Sequence, residues 1–98
     1  MMISDEDFFR LFNAAMAVAK PVGKSTVLAT SMDDRFENLN VDSLDGFIIG
    51  MYLCDVFAVP EAKGKEMKPE TVGQMRDFLV QNARVQKIDM EAALEAMK

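Results

Sequence analysis

Residues Asp42-Ser43-Leu44-Asp45 place a hydroxyl between two carboxylates, directly ahead of an apolar stretch with helical spacing. Asp and Ser are preferred where a helix begins, because their side-chain oxygens accept hydrogen bonds from free backbone N–H groups. A serine at that point lies at the positive end of the helix dipole, where an anionic group attached to its oxygen is stabilised. Taken alone, the motif therefore predicts a helix start, at which an anionic group on the serine oxygen would be favourably placed.

The rest of the composition argues against catalysis by this chain. The sequence has no histidine and one cysteine, Cys54. A Ser–His or Cys–His nucleophile is excluded, as is a zinc site of the usual ligand types. No residue beside Ser43 can serve as its base, so modification by a separate transferase fits this serine better than hydrolase chemistry. We predict no catalytic residue, no metal ligand and no enzymatic activity.

Charge and length restrict the architecture and the kinds of partner that this chain can have. The chain has 98 residues, half of them hydrophobic, which suits one small domain. Its net charge of -5 and pI near 4.6 argue against nucleic acid as a partner and favour basic protein surfaces. No apolar run approaches the roughly 20 residues that cross a bilayer. A single cysteine and the lack of a leader pattern lead us to expect a cytoplasmic protein, and we expect a monomer.

The apolar spacing predicts four helices. They cover residues 5–19, 42–57, 71–82 and part of 85–98. Asp42 or Ser43 is the predicted cap of the second, Thr71 that of the third and Asp89 that of the last, and Pro60 is expected to end the second. The charged segment 61–68 suits a loop with one short helical turn. The tail 85–98 is expected either to dock on the body or to order against a partner.

Between the first two helices, residues 21–41 show no sustained periodicity and are predicted to form a long loop. A loop of this length is unusual in a small domain. Four hydrophobic residues are predicted to fix it to the core, namely Val27, Leu28, Phe36 and Leu39.

Taken together, Asp42-Ser43-Leu44-Asp45, the upstream pair Phe36 and Leu39, and the downstream Thr71-Val72-Gly73 resemble the acyl carrier protein family over about residues 5–82. The resemblance implies an all-α bundle of three main helices and one short helix, with a long loop between the first two. On this basis residues 1–84 form the carrier-like domain, and residues 85–98 form a C-terminal extension that we predict to be helical.

The same resemblance implies a function. Ser43 would carry 4'-phosphopantetheine covalently, with Asp42, Leu44 and Asp45 beside the attachment point, and the arm would hold acyl groups as thioesters. The implied partners are a phosphopantetheinyl transferase and the acyl-loading and acyl-using enzymes of fatty-acid, polyketide or related lipid synthesis.

The family register also assigns faces to the second helix. Ile49, Leu53 and Phe57 would face the core. A partner-binding surface would comprise Leu44, Phe47, Ile48, Met51 and Asp55. An acyl pocket between the second and last helices would be lined by Ile49, Leu53, Met75, Phe78 and Leu79.

This helix departs from the family in having few acidic residues, so we expect recognition by partners to be more hydrophobic and less sensitive to salt than in generic fatty-acid carriers. The alternative is that the long loop or the tail covers its apolar residues. Cys54 takes a position where the family usually has an exposed acid, and it is predicted to be a surface thiol. Gly46 and Gly50 weaken the helix by roughly 1 kcal/mol each relative to Ala, or allow another backbone to approach closely.

Two other functions stay open at this point. One is an aminoacyl or peptidyl carrier of a specialised natural-product pathway, which the low acidity of the second helix favours. The other is a small helical interaction module in which Ser43 is only a cap and the surface around Phe47, Ile48 and Met51 binds a partner helix.

Overall fold

The computed structural model describes residues 3–19 and 27–97. Within them, five α-helices follow one another: α1 (Asp5–Ala19), α2 (Ser43–Phe57), α3 (Glu61–Gly64), α4 (Val72–Asn82) and α5 (Met90–Ala96), with a 3₁₀ turn at Phe36–Leu39. The described ranges hold no β-strand, only one isolated bridge between Arg35 and Thr71. The prediction of a small all-α bundle with three main helices, one short helix and a helical extension is confirmed.

Helix α1 begins at a serine cap and buries one face. The hydroxyl of Ser4 accepts a hydrogen bond from the Asp7 N–H at 3.1 Å, and acidic residues fill the first turn, where the helix dipole favours them. The buried face consists of Phe8, Leu11, Phe12, Ala15 and Met16. This face packs on α2, and the ring centroid of Phe8 lies 6.1 Å from that of Phe57.

Helix α2 presents the predicted stripe to the core, since Ile49, Leu53 and Phe57 are all fully buried. It ends at Phe57, as predicted, although Pro60 is not what ends it. Ala58 adopts the left-handed conformation, with φ 55°, and its N–H reaches back to the carbonyls of Asp55 and Cys54. Pro60 lies beyond this turn and precedes α3 instead. The local stop is therefore a left-handed C-terminal turn made without glycine.

The segment before α2 is held to α1 and α4 by hydrogen bonds at Ala29 and Met32. The side chain of Asn13 in α1 accepts from the Ala29 N–H at 2.8 Å and donates to the Ala29 carbonyl at 3.2 Å. Farther along, the Gly73 N–H donates to the Met32 carbonyl at 2.8 Å. A Cβ at Gly73 would lie 2.9 Å from that same oxygen, so this close approach requires glycine.

The prediction that four hydrophobic residues fix this loop to the core is only partly right. Leu39 is buried and Phe36 packs half-buried against the core, whereas Val27 and Leu28 are exposed. Ala29 is buried in their place, because the Asn13 hydrogen bonds draw its backbone against α1. The part of the predicted loop at residues 20–26 lies outside the described residues.

Helices α4 and α5 begin where their caps are predicted. Thr71 Oγ1 accepts from the Gln74 N–H at 3.1 Å, and Asp89 Oδ1 accepts from the Ala92 N–H at 3.1 Å. Helix α5 packs on α1 and buries Ala93 and Met97 in the common core. The tail was expected either to dock on the body or to order against a partner, and in the structure it docks on the body. None of the helices in the described residues has the length and apolarity needed to cross a membrane.

The turn at Ala58 gives a stability prediction. An L-residue in the left-handed region costs about 1–2 kcal/mol, which Gly avoids at a smaller entropic cost in the unfolded chain. Ala58→Gly should therefore stabilise the protein by about 0.5–1 kcal/mol in urea unfolding. As the matched control, Ala17→Gly on the exposed side of α1 should destabilise it by about as much. A loss of stability in Ala58→Gly would contradict this account of the turn.

Candidate functional site

The start of α2 is built by Asp42. Its carboxylate accepts a hydrogen bond from the Asp45 N–H at 2.8 Å, and its carbonyl accepts the first helical bond from the Gly46 N–H at 2.9 Å. Asp42 is thus the cap, and Ser43 is the first residue of the helix. The amides of a first turn have no carbonyl partners within the helix, so this end suits an anionic group.

Ser43 is exposed, yet the backbone that presents it is anchored. Leu39 and Val41 are buried immediately before it, and the Val41 N–H donates to the Phe36 carbonyl at 2.9 Å. Asn40, between the two anchors, takes the left-handed conformation with φ 59° and closes the 3₁₀ turn. The serine hydroxyl is therefore accessible to another protein at a fixed point of the fold.

Ser43 also lines a cavity of about 510 Å³ between α2 and the segment that contains α3, which we call the α2 cavity. Its lining is mostly apolar. The residues from α2 are Ser43, Gly46, Phe47, Gly50, Met51, Cys54 and Asp55, and the others are Phe36, Val59, Glu61, Gly64, Lys65, Met67, Lys68 and Pro69. This volume is in the range of pockets that hold drug-sized ligands.

Three of the five residues predicted to bind partners form an exposed surface next to Ser43. Leu44 is 66% exposed, Phe47 58% and Met51 54%. We call these three the α2 apolar face. Asp55 is also exposed, and Ile48 is half-buried. Neither the described part of the loop nor the tail covers the face, so the expectation of an uncovered apolar surface is met at these three positions.

The five residues predicted to line an acyl pocket lie elsewhere. Ile49, Leu53, Met75 and Leu79 are fully buried, and Phe78 is half-buried against the core. None of them lines the α2 cavity, which opens on the α3 side of α2. The structure thus brings these five together as core packing, and the space beside Ser43 is formed by other residues.

The prediction of a surface thiol at Cys54 is wrong. Cys54 is 8% exposed, because the chain after α2 folds back and brings Gly64 against it. A Cβ at Gly64 would lie 3.0 Å from the Cys54 Sγ. Burial raises the pKa of this thiol, and the negative charge of Asp55 raises it further. Cys54 is therefore a protonated, weakly nucleophilic thiol at neutral pH.

Sequence reasoning missed the residues that close the α2 cavity from the α3 side, chiefly Met67 and Gly64. Their segment is charged and reads as an ordinary loop. The one sequence feature that pointed to these contacts is Gly50, which was expected to allow a close approach by another backbone. The structure shows a side chain there instead, since a Cβ at Gly50 would lie 2.8 Å from the Met67 Cε.

Across the described ranges, no group of three or more His, Cys, Asp or Glu side chains is placed to hold a metal ion. In comparisons with known proteins, no family model, no curated protein and no solved structure matches this chain.

The raised pKa of Cys54 gives a measurable pH dependence. The alkylation rate of the thiol should reach half its maximum at a higher pH in the folded protein than in urea, because only the thiolate reacts. Asp55→Asn removes the smaller of the two causes, so it should move the folded midpoint part of the way back. Asp33→Asn, on the exposed loop, is the matched control and should leave the midpoint unchanged. Coincident folded and unfolded profiles would refute the burial effect.

Proposed function

We propose that this chain is an acyl carrier protein, which holds acyl groups as thioesters on a 4'-phosphopantetheine arm attached to Ser43. The observation that carries the proposal is the position of Ser43, exposed on the first turn of α2 while it lines an apolar cavity. The resemblance of the motifs around residues 36–45 and 71–73 to the carrier family supports it. In this proposal the protein is a carrier and not an enzyme, and its partner enzymes act on the thioester.

The residues at the start of α2 fit the attachment of a phosphodiester. The amides of Ser43 and Leu44 belong to the first turn and point toward the end where an anion is favoured. Asp42 uses one carboxylate oxygen to hold the Asp45 N–H, which keeps this turn closed while a transferase works on the neighbouring hydroxyl. The arm itself would supply the thiol that forms the thioester.

The α2 apolar face supports a role in recognition. Leu44, Phe47 and Met51 extend along α2 from the attachment point, so an enzyme that reaches for the arm would meet them. We propose that the transferase and the acyl-loading and acyl-using enzymes dock here, with the net negative charge of the chain attracting their basic surfaces. The proposal also places the protein in the cytoplasm, with enzymes of fatty-acid, polyketide or related lipid synthesis.

The direct test is incubation with coenzyme A and a broad-specificity phosphopantetheinyl transferase, followed by intact mass. Wild type should gain one phosphopantetheine group, and Ser43→Ala should gain none, because only this hydroxyl is predicted to react. Ser43 is not the cap, so Ser43→Ala should fold with a stability change of no more than about 0.5 kcal/mol.

Ser4→Ala provides the matched control, since it removes a serine that does cap a helix and should leave the mass gain intact. Absence of any gain in folded wild type with several transferases would refute the proposal.

An aminoacyl or peptidyl carrier is the second candidate, because α2 carries few acids and exposes hydrophobic residues. Loading of the modified protein with acyl and with aminoacyl donors separates the two. The interaction module would be favoured only by the absence of modification together with binding through the α2 apolar face.

A further inference from the structure

Three sulfur-bearing side chains line the α2 cavity, Met51 and Cys54 from α2 and Met67 from the segment after α3. Cys54 is a free and buried thiol, Met67 is half-buried and Met51 is exposed. Neither Cys54 nor Met67 has a role in the proposed attachment of an arm to Ser43. Their sulfur atoms therefore give this cavity a chemistry separate from that of the serine.

Two close contacts bring the Cys54 thiol and the Met67 thioether between the same two stretches of chain. A Cβ at Gly64 would lie 3.0 Å from the Cys54 Sγ. A Cβ at Gly50 would lie 2.8 Å from the Met67 Cε. Gly64 and Met67 belong to one turn, in which the Met67 N–H donates to the Gly64 carbonyl at 3.2 Å. Gly50 and Cys54 are neighbours on one face of α2, four positions apart, so both sulfur groups lie between one turn of α2 and one turn after α3.

Met51 supplies a third sulfur to the same cavity. It lies three positions before Cys54 on α2, a spacing that places two side chains about 5–6 Å apart at their Cβ atoms. A methionine side chain is unbranched and flexible, and the exposed side chain of Met51 has room to turn toward Cys54. One thiol and two thioethers can thus approach a common point.

This set of donors selects a soft metal ion. Thiolate and thioether sulfur suit Cu(I), whereas Mg²⁺ and Ca²⁺ take oxygen ligands. The lack of histidine, which excludes a usual zinc site, does not bear on such ligands. A Cu(I) ion with one thiolate and two thioethers carries no net charge, so a mostly apolar cavity holds it at a low desolvation cost. The four charged residues that also line the cavity balance one another, since Asp55 and Glu61 oppose Lys65 and Lys68.

We propose that Cys54, Met67 and Met51 bind one Cu(I) ion in the α2 cavity. The S–H bond of Cys54 breaks as a Cu–S bond forms, the proton passes to water, and copper remains in the +1 state. The two thioethers donate sulfur lone pairs and lose no proton. This binding does not depend on any modification of Ser43.

The test is a titration of the unmodified protein with Cu(I) under anaerobic conditions, with bicinchoninate as a coloured competitor. Wild type should bind one Cu(I) per chain, and Cys54→Ser should lose this binding. Met67→Leu keeps an apolar side chain and removes the thioether, so it should raise the Kd by about tenfold, which corresponds to about 1.4 kcal/mol. X-ray absorption at the copper edge should show a first shell of sulfur alone.

Met90→Leu is the matched control, because Met90 is also half-buried but packs against the core from α5. It should leave the Kd unchanged. Circular dichroism establishes that each variant is folded before its affinity is compared.

Failure of folded wild type to bind Cu(I) would overturn the proposal. Equal affinities of wild type and Met67→Leu would also overturn it, because a lone cysteine would then account for the binding. A stoichiometry of one Cu(I) per two chains would do the same, since the ion would then join two molecules instead of lying within one cavity.

Discussion

The burial of one stripe of α2 against α1 fixes everything else about the candidate site. Ile49, Leu53 and Phe57 follow one another at intervals of four residues and are fully buried. Each such side chain contributes about 1.5–3 kcal/mol when it leaves water. Rotation of α2 about its axis would expose all three, so the helix has one favourable orientation. The Phe8 and Phe57 rings, packed edge to face, lie at the end of this stripe farthest from Ser43.

That orientation decides what faces outward. The line from Ser43 through Gly50 to Cys54 lies roughly a quarter turn from the core stripe. Phe36, the short α3 and the residues after α3 lie against it. The glycines let these layers approach closely, since a Cβ at Gly50 would lie 2.8 Å from the Met67 Cε and one at Gly64 would lie 3.0 Å from the Cys54 Sγ. Two residues of the α2 apolar face, Phe47 and Met51, line the cavity and are also exposed. One rotational setting thus places an accessible hydroxyl beside an apolar cavity that is continuous with an apolar surface.

Much of the fold could be predicted from the sequence because its signals are local. Asp42, Thr71 and Asp89 cap their helices as predicted, since a cap depends on residues within one turn. The core stripe of α2, which the resemblance implies, is also buried as expected. By contrast, the end of α2 depends on a left-handed Ala58, a conformation that no sequence rule assigns to alanine.

The errors concern residues whose environment comes from distant parts of the chain. Cys54 was expected at the surface, and the approach of Gly64 covers it. Val27 and Leu28 were expected in the core, and hydrogen bonds from Asn13 place Ala29 there instead. The α2 cavity escaped prediction for the same reason, because its second wall is a charged segment with no apolar periodicity. Such contacts are set by tertiary packing, which spacing within one helix cannot reveal.

The central claim is the proposal that Ser43, exposed on the first turn of α2, carries a 4'-phosphopantetheine arm. The most direct measurement is a comparison of ¹H–¹⁵N spectra of the protein before and after phosphopantetheinylation. The account predicts that the backbone shifts of Ser43 and its neighbours in the first turn of α2 change, while the α1 residues that pack on α2 stay unchanged. Spectra that do not change at Ser43, or changes centred on another residue, would contradict it.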